Sequence, residues 1–145
     1  MRRTAPAVGV TIVVLTLAAG ADEKPPAGYQ QAMRDNGQAM QIVRQAAKEI
    51  EDSGAGAQDY MPFEQATGTM KKSFAATLEF WQGRKVDDAA KLAEAGAKQV
   101  ADLEAAAKDR DYREVLDSIV ALNQTCAACH AAHRSRLPDG TFEIK

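Results

Sequence analysis

The chain has 145 residues, with 18 basic and 20 acidic side chains, two histidines, two cysteines and one tryptophan. That length supports one domain with a core of its own and is too short for two. A net charge of −2 with both signs interspersed offers no basic stripe, which argues against nucleic acid as a partner.

The first 21 residues read as a secretory signal peptide. Arg2 and Arg3 start it, Val8 to Leu17 is its apolar run, and Ala19 to Ala21 supply small residues for cleavage. The run is shorter than the ~20 residues needed to span hydrocarbon, so a retained membrane anchor is the weaker alternative. Cleavage leaves 16 basic against 20 acidic side chains, a net charge of −4, in a periplasmic or otherwise extracytoplasmic bacterial compartment. Residues 22–28, "DEKPPAG", form a proline-broken leader.

Four helices follow, predicted from apolar spacing. The first runs from Tyr29 to Ile50, with Met33, Gly37, Met40, Val43, Ala47 and Ile50 stepping by three and four. "EDSGAGAQ" (Glu51 to Gln58) reads as a loop. The second helix spans Tyr60 to Gln82, with Pro62 in its first turn and Phe63, Ala66, Met70, Phe74, Leu78 and Trp81 as its stripe. Gly83 should close it and Asp87 should cap the third, which reaches Ala107 through Ala89, Leu92, Gly96, Val100 and Leu103. Asp111 and Glu114 have the spacing of a capping box for the fourth, carried by Val115, Ile119, Leu122, Cys126 and His130. Strand-like alternation is absent. The expected fold is all-α: an antiparallel four-helix bundle over 29–137, with a tail at 138–145 whose Phe142 and Ile144 could pack back on it.

All the cysteines and histidines fall in one short stretch, "CAACHAAH", Cys126 to His133. Cys126, Cys129 and His130 form C-x-x-C-H, the attachment signature of a c-type haem. Two thiols must reach two vinyl groups on one porphyrin edge, and the next residue must place an imidazole under the iron. With so few cysteines and histidines, chance would produce this spacing on the order of 10⁻⁴ of the time. On a helix the four side chains share about 100° of arc. A dithiol redox pair would ordinarily follow a strand, and no strand pattern precedes Cys126. Zinc on Cys126, Cys129 and His133 is hard to arrange tetrahedrally from one helix, and a Cys126–Cys129 disulfide would strain a helix interior.

A haem motif near the end of a four-helix bundle resembles the class II cytochromes c, the cytochrome c-prime group and its six-coordinate relatives. The likeness covers Tyr29 to Arg136, and its specific part is "CAACHAAHR". It implies one covalent haem c held by Cys126 and Cys129, His130 as proximal iron ligand and Arg134 near the haem edge. His133 stands where the family usually carries an aromatic residue, and reads as packing against the porphyrin rim. The likeness also sets Met33 at the first-helix position facing the other side of the iron. That position is methionine in the electron-transfer branch and apolar in the gas-binding branch. Met40 is the reserve ligand, while Met61, Met70, Phe80 and Trp81 read as core, with Trp81 near the haem pocket. The implied function is an electron carrier between redox proteins and not an enzyme, as a monomer or homodimer; the alternative is a five-coordinate haem protein binding nitric oxide or carbon monoxide.

Overall fold

The computed structural model describes residues 23–54, 56 and 59–145. The signal peptide read over 1–21 lies outside these residues. Among them four helices are found: α1 (Ala27–Ser53), α2 (Met61–Arg84), α3 (Asp87–Asp109) and α4 (Tyr112–His133). Helices adjacent in sequence pack in space, α1 on α2, α2 on α3 and α3 on α4, whereas α1 and α4 meet only sparingly. That sparse seam decides where the site lies.

Each helix forms for a legible reason. In α1 the apolar stripe buries Ala32, Ala39, Met40, Val43, Ala47 and Ile50. Pro62 sits in the first turn of α2, where its missing N–H costs nothing. Met61, expected in the core, is 55 % exposed because it opens the helix ahead of that proline. Met70 is fully buried, as its stripe requires. Gly83 does not close α2; it remains helical, and the chain turns at Lys85 in a left-handed conformation (φ 58°) whose N–H reaches the Gln82 carbonyl at 3.0 Å. Val86, not Asp87, is the N-cap of α3, and Asp87 with Asp88 instead falls in the first turn, where carboxylates suit the helix dipole. The expected cap of α4 is present: the Asp111 side chain accepts the Glu114 N–H at 3.1 Å.

The core is continuous through Val43, Phe63, Met70, Val100, Leu103, Val115 and Leu122. At one end Tyr112 donates its hydroxyl to the Ala47 carbonyl (2.8 Å) and Tyr60 donates to the Arg110 carbonyl (3.2 Å). There α1 and α4 are tied together. Halfway along, Arg44 of α1 donates to Asn123 of α4. Beyond that point the seam opens.

Gly96 of α3 packs directly against Phe74 of α2. A methyl group there would stand 2.6 Å from Phe74 Cζ and 2.9 Å from Cδ1, and the ring is buried with little room to swing away. Gly96→Ala is therefore expected to destabilise the fold by about 1–3 kcal/mol, despite a helix-propensity gain of up to ~1 kcal/mol. Urea unfolding checks it; an unchanged midpoint would show that the contact yields.

Two short strands, β1 (Arg134–Arg136) and β2 (Phe142–Ile144), pair antiparallel as a hairpin directly after α4. Three-residue strands are too short for alternation to register in the sequence, so this hairpin was not expected. The tail does fold back, through Ile144, which is 3 % exposed against Trp81 and Ala89. Phe142 stays 37 % exposed. The leader joins it: Glu23 pairs with Ile144 as a third strand position. No helix among the described residues is long and apolar enough to cross a membrane.

Candidate functional site

Where the seam between α1 and α4 opens, a cavity of about 400 Å³ forms. That is within the range of cofactor and ligand sites. Tyr29 and Met33 of α1 line it one turn apart, Trp81 comes from the end of α2, and Cys129, His130 and His133 come from the end of α4. Arg134, Phe142, Glu143 and Ile144 of the hairpin and Lys24 of the leader complete the wall.

The structure thus brings Met33, Cys129, His130 and Arg134 to one cavity. Cys126 is placed differently. It lies half-buried against the main core rather than in the cavity wall. The seam is still closed at its level by the Arg44–Asn123 hydrogen bond, and the Arg44 charge is felt at its thiol. Met40 is buried in the main core, away from the cavity lining. Gly37 is exposed, and beyond its chain neighbours and its own turn of helix backbone no atom of the described residues lies within 4 Å of where its side chain would begin.

The electrostatics of the thiols and imidazole follow from burial. Burial raises the Cys126 thiol pKa, and burial followed by the charges of Cys126 and Asp88 raises that of Cys129, with Arg134 offsetting part. Both sulfurs are then neutral thiols at pH 7. A reactive dithiol needs the opposite, a thiol lowered toward thiolate. Burial, then the Arg134 charge, lowers the His130 pKa, so its imidazole is neutral with a lone pair to give. Among the described residues no three His, Cys, Asp or Glu side chains converge as a cation site. Cys126 and Cys129 are both unbridged.

His133 packs beside Trp81, ring centres 5.2 Å apart, with its side chain 10 % exposed. Its Nε2 lies 3.1 Å from an Asp88 carboxylate oxygen, close enough for an ion pair but not aligned as a hydrogen bond. The Trp81 indole N–H likewise closes no hydrogen bond among the described residues, although it lies toward the Tyr29 oxygen and eases that phenol's ionisation. Trp81 is both core and cavity wall. Arg134 lays its guanidinium 4.0 Å from the Phe142 ring centre, a cation–π stack at the rim.

Tyr29 is a wall residue that helical spacing alone does not single out, since it marks only the start of the first helix there. Its ring stacks on Phe80 at 4.2 Å and edge-on to Trp81 at 5.9 Å. Burial, then the Cys129 charge, pushes its pKa up to about 12, against an ordinary 10.0. The folded chain holds this proton more tightly than the unfolded one. Its contribution to stability is therefore complete below pH 10 and lost as pH rises through about 12. Alkaline absorbance titration should show one phenol ionising near 12 that is missing in Tyr29→Phe; its ionisation near pH 10 would show that the wall is wet.

Comparison with family models, with curated proteins and with solved structures finds no match.

Proposed function

We propose that this protein is an exported mono-haem c-type cytochrome, an antiparallel four-helix bundle that passes single electrons between redox proteins in a periplasmic or similar compartment. One observation carries the reading: His130 of the C-x-x-C-H motif and Met33, from opposite ends of the chain, line the same cavity. Cys126 and Cys129 would hold a porphyrin through thioethers, with His130 and Met33 on the iron and Arg134 at the rim. When bound, the group supplies a one-electron couple whose potential Met/His ligation raises.

The chain's own residues supply the rest. A neutral His130 needs no deprotonation before it can bind a metal. The Met33 thioether carries no proton at all, so neither ligand ties the couple to pH near neutrality. Tyr29, Trp81 and Ile144 make part of the cavity lining apolar. Cys126 reaches that cavity only if the α1–α4 seam opens past the exposed Arg44–Asn123 hydrogen bond, a contact worth about 1 kcal/mol. With Met33 and His130 both holding the iron, no position would be left for a substrate, which supports a carrier rather than an enzyme. Redox donors and acceptors would dock around Cys126, Arg134 and Arg136.

Absorption spectra of the secreted protein, oxidised, reduced and under carbon monoxide, test this reading. A low-spin pattern with a weak red methionine-to-iron band and no response to carbon monoxide is expected. A high-spin spectrum that shifts under carbon monoxide would move the assignment to the gas-binding alternative.

A further inference from the structure

We infer that the C-terminal hairpin is the wall that completes this pocket and limits the entry of small ligands to the space shared by Met33 and His130; the inference rests on the function proposed above. Without residues 134–145 the cavity would be bounded only by the helices and the leader, and the side over Trp81 would stand open. The hairpin covers that side with apolar groups: Ile144 is buried on Trp81 and Ala89, and Phe142 lines the cavity beneath the Arg134 guanidinium.

The segment is built to stay in place. Glu23 and Ile144 exchange two backbone hydrogen bonds, at 3.2 and 2.9 Å. Lys145 is bonded to the end of α4 twice, from its N–H to the His133 carbonyl (3.2 Å) and from its Nζ to the Ala131 carbonyl (3.0 Å). In the turn the Asp139 carboxylate accepts from both the N–H (2.9 Å) and the hydroxyl (2.6 Å) of Thr141. Gly140 takes the left-handed conformation (φ 84°) that the reversal needs and donates to the Leu137 carbonyl at 2.9 Å. Held on one side by α4 and on the other by the leader, the hairpin acts as a fixed shutter across the mouth of the cavity.

The test uses the matured, secreted protein in a Met33→Ala background, so that the methionine does not compete with the probe. Two further changes are compared there: a chain ending at Arg136, and full-length Ile144→Ser, which undocks the tail without removing it. The association rate of imidazole is expected to rise about tenfold or more in both. An unchanged rate in a variant that keeps its porphyrin overturns the inference. If the shortened chain fails to fold, Ile144→Ser decides alone. If the full-length protein weighs only as much as its polypeptide, it is the electron-carrier reading that fails. Acrylamide quenching of Trp81, the single tryptophan, then decides the wall: a several-fold rise on undocking supports it and no rise overturns it.

Discussion

On the proposed electron-carrier reading, replacing Met33 with alanine is expected to turn a low-spin, carbon-monoxide-inert protein into a high-spin one that binds carbon monoxide. The thioether is the only soft donor that the first helix offers to the cavity, since Met40 points its bulk into the main core and Gly37 carries no side chain. Loss of methionine ligation should also lower the reduction potential, by on the order of 100 mV within the ~0.8 V that axial ligation spans. The fold should tolerate the change: Met33 is only half-buried, so truncation should cost about 1–2 kcal/mol, below the 2–5 typical of a buried methionine. Absorption spectra and a redox titration check both effects. An unchanged spectrum would mean that Met33 is wall and not ligand.

The second large effect is expected from Cys126→Ser combined with Cys129→Ser. Each serine is close to its cysteine in size, and both positions are half-buried on α4, so helix and packing should survive. Covalent retention should not. The double variant should release any porphyrin on extraction with acidified organic solvent, whereas either single variant should keep it by one sulfur. Retention in the double variant would exclude thioether attachment. The two single variants are also expected to differ. Cys129 already lines the cavity, whereas Cys126 sits behind the Arg44–Asn123 contact. Cys126→Ser should therefore disturb the seam less than attachment at Cys126 does. Hydrogen exchange around Asn123, halfway along α4, would read this as greater protection in Cys126→Ser.

The four helices were legible because each carries a stripe with a 3.6-residue period, although their punctuation did not always fall where it was expected. Asp111 caps through its side chain as its spacing implied. Gly83 misled because a glycine near a helix end is only permissive: the carbonyls of Gln82 and Trp81 could be satisfied by a left-handed Lys85 instead. The meeting of Met33 and His130 was legible only through the family resemblance. Period arithmetic puts Met33 on an inward face without saying which cavity that face meets. The cysteines and histidines share one arc of α4, yet they do not all face one neighbour: Cys126 meets the main core and Cys129 the cavity. Which neighbour they meet depends on where the α1–α4 seam opens, and the long-range Arg44–Asn123 and Tyr112–Ala47 contacts set that. The hairpin wall and Tyr29 were hidden for a related reason. Ile144, Trp81 and Glu23 come together only in three dimensions, through strand pairs too short to leave a pattern.

The central claim is that sulfur atoms of the last helix bond a porphyrin. Its most direct test is the mass of the full-length secreted protein, taken under denaturing conditions after expression in a host able to attach such groups. The expected mass is that of the polypeptide from about Asp22 onward plus one haem. A mass equal to the bare chain would contradict the account.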